Sequence, residues 1–365
     1  MKSIIDVSSV VYGGHNGFDR RIRGFPIGGL RKVFGIINAG LSQSDFALCF
    51  DGGEIIKKEL LPTYKAGRIP DYSVIAQIEL LKELLTNCDI PFYWDPKYEA
   101  DDFVFSTCCE LVDLGDTEDI VIYSDDRDLA CCITEQISIR NITSNGINIT
   151  YSNYSDRVLR GYKAIPYNTI LLWKIFHGDT SDNYKALRIP GLTFETMAHH
   201  LVSTLGPLIN PEGFTNLAYA EYYIFEEICK DYESLLSESD MKLLKNQARI
   251  AYPFHIPVSD INFDGYREEV VKGSPLYMLE RKHMKMFGIG NFNRSKFDFY
   301  CTLLGLNRIK SGRYVDQDSA EAQEFYGLLE LRAKELANGT LAVNHHRKKM
   351  AKARPDTLEN MSLPL

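Results

Sequence analysis

The sequence predicts an α/β protein built on a central, largely parallel sheet. Two observations carry this expectation. Short apolar runs rich in β-branched and aromatic residues alternate with segments that are apolar at three- and four-residue spacing. Aspartates also recur at or just past the ends of those runs, and in sheets of this kind ligand sites lie beyond the carboxyl ends of the strands.

Ser3 to Val7, Phe46 to Phe50, Ile90 to Tyr93 and Ile120 to Tyr123 read as buried strands. Leu30 to Leu41, Tyr72 to Leu85 and Asp101 to Leu114 read as the helices between them. Glu99, Asp101 and Asp102 open the last of these, where the positive end of the helix dipole favours carboxylates. From Asn168 to about His177 the pattern is helical, Gly178 to Asn183 forms a loop, and after Ile189-Pro190-Gly191 a further helix is expected from about Thr193 to Leu205. Beyond Pro211 the chain is mainly helical and tyrosine-rich. Ala322, Phe325, Leu329, Ala333 and Leu336 predict a last helix over Ala320 to Ala337, with Gly327 weakening the pattern. Asn338 to Leu365 reads as a mobile polar tail.

At 365 residues, 45% apolar and 12% aromatic, the chain can bury one large core or two smaller ones. No run of about 18 apolar residues appears and the N-terminus is too soon charged for a signal peptide, so a cytoplasmic protein without a membrane span is expected. The eight cysteines fall as singles or adjacent pairs without C-x-x-C, the pattern of buried reduced thiols rather than zinc ligands or disulfides. A net charge of −8 argues at first against a polyanionic partner. The sum, however, includes clustered acids, and separate basic stretches remain at Arg20-Arg21-Ile22-Arg23, Lys57-Lys58, Lys65 with Arg68, Arg281 to Lys285 and Arg347 to Lys349.

Nine carboxylates form five islands: Asp6, Asp51, Glu99 with Asp101 and Asp102, Asp126 with Asp128, and Asp179 with Asp182. If the islands converge, their mutual repulsion in a partly desolvated cleft has to be offset by bound cations. An all-oxygen set without histidine suits magnesium or manganese rather than zinc. Paired divalent ions answer the two difficulties of phosphodiester hydrolysis, activating a water and stabilising the leaving oxygen.

These residues stand in a series of landmarks: Ile5-Asp6, Phe50-Asp51, Tyr64-Lys65-Ala66-Gly67-Arg68, Lys97-Tyr98-Glu99-Ala100-Asp101-Asp102, Ser124-Asp125-Asp126-Arg127-Asp128, Gly178-Asp179-Thr180-Ser181-Asp182-Asn183 and Ile189-Pro190-Gly191. In that order the chain resembles, from about Ser3 to Leu205, the 5′ nuclease family of flap endonucleases, the 5′ nuclease domain of bacterial DNA polymerase I and phage-type 5′ nucleases including phage ribonuclease H. The resemblance implies a PIN-like fold with a helical arch and a helix, three-turn, helix element. It implies an α/β core over residues 1–165 with the arch at about 64–90, the DNA-binding element at 166–210, a mainly helical region at 211–337 and a tail at 338–365. It also implies two ions, magnesium or manganese, with Asp6, Asp51, Glu99, Asp101, Asp102 and Asp126 in the first ion's group and Asp128, Asp179 and Asp182 holding the second. Lys65 and Arg68 would grip the scissile phosphate, Tyr64 would stack on an unpaired base, and the turn at Gly191 and Thr193 would bind duplex backbone, with a potassium ion there in many members. The implied partners are branched or 5′-ended DNA and RNA–DNA hybrid, bound by a monomer.

The chain departs from the family at four places. Val7-Ser8 follows the first aspartate in place of Gly-Asn, and Gly13 stands where an arginine is expected. Asp125 replaces a glycine, and the Gly-x-Gly turn with its lysine is Gly191-Leu192-Thr193 with Glu195, so that Thr193 reads equally as a helix cap. Lys97-Tyr98-Glu99 and Val7-Ser8 lean towards phage ribonuclease H, and about 160 residues beyond the matched part suggest a stand-alone enzyme. The terminal Asn360-Met361-Ser362-Leu363-Pro364-Leu365 resembles a peptide that docks into bacterial sliding clamps, with Met361, Leu363 and Leu365 as anchors. Two other readings stay open at this point: a PIN-type endoribonuclease, and a non-catalytic DNA-binding replication factor that kept the fold.

Overall fold

A computed structural model describes residues 1–40, 45–53, 55–113, 117–143, 148–150, 152–153, 174–187, 189, 191–193, 196, 229–230, 233–251, 253, 256, 263–264, 292–306 and 316–339. Most of the helix expected over 193–205, Glu195, most of the helical region after 211, and Met361, Leu363 and Leu365 lie outside the described residues.

The main sheet has seven strands. β1 (Lys2–Asp6) lies at its centre, parallel to β4 (Asp45–Cys49) on one side and β6 (Ile120–Tyr123) on the other. β5 (Phe92–Tyr93) continues in parallel beyond β4, and β7 (Ile137–Arg140) beyond β6. Two short strands close the edges in the antiparallel sense, β8 (Asn148–Ile149) on β7 and β9 (Phe263–Asp264) on β5. β2 (Arg21–Ile22) and β3 (Phe25–Pro26) form a separate hairpin. The parallel core agrees with the sequence reading; β7 and the antiparallel edge strands are additions to it.

Strand alternation decides which face each apolar residue covers. Ile4, Ala47, Cys49, Tyr93, Ile120 and Ile122 point into one core, closed by α5 (Ala100–Asp113). Ile5, Phe46, Leu48, Phe50 and Phe92 point into the other, closed by α1 (Val7–Gly17), α2 (Gly28–Gly40) and α4 (Tyr72–Asn87). α1 and α2 cross closely because both carry glycine at the contact: a Cβ on Gly28 would fall 2.4 Å from the Gly14 carbonyl oxygen. Two late helices, α7 (Arg294–Leu303) and α8 (Ala320–Ala337), also join this second core. Phe297 stacks on Phe34 at 5.1 Å between ring centroids, and Phe325 meets Tyr300 at 5.6 Å. The last helix has the bounds its spacing predicts, and Gly327 sits within it with open space around its Cβ position.

A third cluster joins the short α3 (Ile55–Leu60) and the turn after it to α6 (Glu238–Ala251) and the helical turn at 174–177. Tyr64, Ile175, Phe176, Tyr184 and Leu244 are its buried members. All eight cysteines are buried and none is in a disulfide. No helix among the described residues is long and apolar enough to cross a membrane.

Candidate active site

Asp6 ends the central strand and begins α1 in one residue. Its Oδ1 accepts the Ser9 amide at 3.1 Å, capping the helix, and its Oδ2 accepts the Ser124 hydroxyl at 2.7 Å. Burial, reinforced by the charge of Asp51, pushes its carboxyl up to about 7. Asp51 follows β4, and its Oδ1 accepts the Ala100 amide at 2.7 Å, capping α5 from outside. Asp126 follows β6 and is held by a tight turn: its amide donates to Ser124 Oγ at 2.9 Å, and its Oδ1 accepts the Asp128 amide at 2.9 Å.

At the start of α5, the Glu99 amide donates to Asp102 Oδ2 at 3.0 Å, which satisfies one donor at the helix N-terminus. The carboxylates here surround a lysine that sequence reading counted only as part of a basic stretch. Lys57 Nζ lies 2.6 Å from Glu99 Oε2, 3.3 Å from Asp101 Oδ2 and 3.5 Å from Asp102 Oδ1, and it is buried. Lys65 also pairs with Glu99. Burial alone would raise the Glu99 carboxyl, but the two ammonium groups outweigh it and hold the carboxyl at about 2.

The turn 62–68 and the loop 179–184 interlock. The Lys65 amide donates to the Asp182 carbonyl at 3.2 Å, and Asn183 Nδ2 donates to the Thr63 carbonyl at 3.1 Å. Lys65 takes a φ of +51° to do so, a left-handed conformation that a non-glycine residue adopts only under constraint. Arg68 Nη2 lies 3.5 Å from Asp182 Oδ1 and stays half exposed. Within the loop, Asp179 exchanges backbone hydrogen bonds with Tyr184, and its Oδ1 accepts the Ser181 amide at 2.7 Å. Lys174 reaches into this acidic group as Lys57 does into the other, 2.6 Å from Asp179 Oδ2 and in contact with Asp128 Oδ2. Burial opposes ionisation of Asp179, yet hydrogen bonds from Lys174 and Ser181 keep it at about 2. Asp128 goes the other way, to about 7, through burial and the neighbouring Asp126.

These residues meet on one cleft of about 440 Å³. Asp6, Asp51, Glu99, Asp101, Asp126, Asp128 and Asp182 line it together with Lys57, Tyr64, Lys65, Arg68 and Lys174. Asp102 and Asp179 lie behind the wall, joined to it through Lys57 and Lys174. Among the described residues, no three carboxylates are drawn together as a ready coordination shell; an ammonium stands within each group instead. The donors nevertheless fit a hard divalent cation. They are carboxylate oxygens only, burial with a neighbouring carboxylate raises both Asp6 and Asp128, and Asp128 Oδ1 is buried without a hydrogen-bond partner.

Three residues near the site make contacts of their own. Tyr64, expected to stack on a base, is buried to 2% exposure; its hydroxyl donates to Glu99 Oε2 at 2.8 Å and its ring stacks on Tyr184 at 6.1 Å. Thr193 adopts the capping alternative: its Oγ1 accepts the Thr196 amide at 3.1 Å while Thr196 Oγ1 accepts the Thr193 amide at 2.8 Å. Gly191 holds the turn before it with φ of +79°. Asp125, the acid without an assigned role, is a structural anchor. Its carboxylate accepts the amides of Ile142 at 2.7 Å and Thr143 at 3.2 Å and the Asn141 side chain at 3.1 Å, while its own amide donates to Ser9 Oγ at 2.8 Å.

Lys174 was missed in the sequence although a signal was present. It is the single cation in the apolar run Ile170-Leu171-Leu172-Trp173-Lys174-Ile175-Phe176, and a cation there needs acidic partners.

A mainly parallel α/β sheet with clustered carboxylates and basic residues beyond its strand ends defines a candidate phosphoryl-transfer site. Residues 2–158 match the family described as 5'-3' exonuclease, N-terminal resolvase-like domain, so this part of the chain carries that family's domain. Among curated relatives, DNA polymerase I of Bacillus caldotenax is 29% identical over 73% of this chain and 30% of its own length. The 5'-3' exonuclease of Bacillus subtilis strain 168 is 30% identical over 38% of this chain and 46% of its own. The chain thus spans less than half of either relative. Among solved structures, T5 5'-exonuclease with bound zinc is similar at a TM-score of 0.45 and 14% identity, over 69% of this chain and 100% of that one.

Proposed function

We propose that the protein is a divalent-metal-dependent 5′ nuclease, acting in the cytoplasm on phosphodiesters of branched or 5′-ended DNA and of RNA primers paired to DNA. The observation that carries this reading is the convergence of Asp6, Asp51 and Asp126, from the ends of three neighbouring parallel strands, with Glu99, Asp128, Asp182, Lys65 and Arg68 on one cleft. Asp6, Asp51, Glu99, Asp101, Asp102 and Asp126 would hold one magnesium or manganese ion, and Asp128, Asp179 and Asp182 a second. When bound, such ions supply an activated water and charge for the leaving oxygen.

The protein's own groups supply positioning. Arg68 is exposed enough to swing from Asp182 to a phosphate, offering two parallel donors to an oxyanion whose charge grows in the transition state. Lys65 adds a point charge from a backbone that its docking on Asp182 holds in place. Tyr64 keeps Glu99 oriented from behind. At the far terminus, Met361, Leu363 and Leu365 are proposed to dock on a sliding clamp; unchanged clamp binding after deletion of residues 360–365 would sink that assignment.

The test is cleavage of a 5′-labelled flap and of a primer duplex by the wild-type protein and Asp126→Ala, with magnesium or with EDTA. Cleavage that needs both Asp126 and magnesium supports the reading. Cleavage indifferent to both, or none under any condition, overturns it.

A further inference from the structure

The carboxylates assigned to the second ion are not arranged around open space. Lys174 contacts Asp128 Oδ2 and lies 2.6 Å from Asp179 Oδ2 and 3.7 Å from Asp182 Oδ2. Its neighbours Ile175 and Phe176 are wholly buried, so its backbone is anchored in the third apolar cluster while its head group lines the cleft. Asp128 Oδ1 remains buried without a hydrogen-bond partner, so the lysine satisfies only part of the oxygen set.

We infer that the Lys174 ammonium is a built-in counter-ion of the Asp128, Asp179 and Asp182 group, which a divalent cation has to displace, and that this lysine thereby sets the group's affinity for the cation. The inference rests on the metal-nuclease reading above. With all three ionised, the carboxylates and one ammonium carry two net negative charges. A divalent ion in place of the ammonium leaves one, and can take the orphaned Asp128 Oδ1 as well. The ion and the ammonium exclude one another, because two cations a few ångströms apart repel strongly in a partly desolvated cleft. Entry of the ion therefore carries the work of breaking the lysine's contacts. The displaced head group stays on the cleft wall, where a substrate phosphate is its natural next partner. Without a divalent ion, the same lysine keeps the 179–184 loop closed against the helical turn, Asp128–Cys132, that Asp128 opens.

Two measurements on the full chain test this. In the first, amine-reactive labelling of the wild-type protein is read by mass spectrometry in EDTA and in magnesium, with exposed Lys58 as internal standard. Lys174 labelling is expected to rise severalfold in magnesium as its carboxylates are taken. In the second, manganese binding is measured by calorimetry for wild type, Lys174→Met and Lys174→Arg. Lys174→Met keeps an apolar stem without charge and is expected to bind the weaker manganese ion about tenfold more tightly, while Lys174→Arg stays near wild type. Labelling that is unchanged or falls in magnesium, or equal or weaker manganese binding by Lys174→Met, overturns the inference while leaving the nuclease reading intact. A wild-type protein that binds no manganese and cleaves nothing overturns both. If Lys174→Met does not fold, wild-type labelling decides alone.

Discussion

Asp125 and Gly13 are joined through one residue. Asp125 Oδ1 accepts the Ile142 amide at 2.7 Å, and the Ile142 side chain then lies over α1, where a Cβ on Gly13 would come within 2.8 Å of Ile142 Cγ2. Two of the departures from the family pattern are therefore one structural event: the acid draws the 141–143 segment over the helix, and the position beneath it has no room for a side chain.

This coupling predicts a non-additive pair. Gly13→Arg should lower stability by about 1 to 3 kcal/mol through overpacking against Ile142. In an Asp125→Gly background the segment is released, and the added loss should shrink by more than about 0.5 kcal/mol. Urea unfolding of the two single variants and the double variant measures it. Additive losses would mean that the two positions act separately.

Lys57 is the most exposed to failure of the basic residues in the cleft, because it is 2% exposed and faces three carboxylates. Lys57→Met should destabilise the metal-free protein by about 3 to 5 kcal/mol, the range for breaking a buried ion pair from one side. Magnesium should recover part of the loss by supplying another counter-charge. Thermal melts with and without EDTA read both effects, and a variant as stable as wild type in EDTA would contradict the pairing.

Arg68 should behave in the opposite way. Its resting contact with Asp182 is long and half exposed, so Arg68→Gln should change stability by less than about 1 kcal/mol. The cleavage rate should nevertheless fall by about a hundredfold or more, the size seen when a transition-state donor is lost. Single-turnover cleavage beside a urea melt separates the two; a variant with a wild-type rate would remove Arg68 from the chemistry.

Stability in EDTA should depend on pH in two opposed ways. Asp6 and Asp128 are raised to about 7, so their protonated forms favour the folded state, and this contribution is lost as pH rises from about 4 through 7. Glu99 and Asp179 are lowered to about 2, so their contribution is present above the ordinary carboxylate range and is lost as pH falls towards 2. The melting temperature should therefore fall between pH 5 and 8 in EDTA, and magnesium should flatten that fall. A curve over this range that is the same with and without magnesium would argue against cation binding at these acids.

Much of the frame was legible in the chain. Ile4 and Ile5 had to face opposite sides of a buried strand, the spacing from Ala322 to Leu336 marked α8, and the order of the acidic islands marked the rim of the sheet. These features follow from local periodicity and from strand ends, both of which are short-range. The start of α1 at Val7 was hidden, because Asp6 serves as strand end and helix cap at once and a cap is defined by the geometry around it. The edge strands β8 and β9 were hidden because two-residue strands have no period to read.

By itself the sequence determined the family of residues 2–158, the α/β frame and the residue types of the cleft, since those depend on patterns along the chain. Only the tertiary structure decided what each charge does. Tyr64 became a buried support for Glu99, Thr193 a cap and Asp125 an anchor for a distant segment. Lys57 and Lys174 came to stand inside the acidic groups. Each assignment turns on contacts between residues far apart in the chain, because the field at a buried charge is summed over neighbours in space.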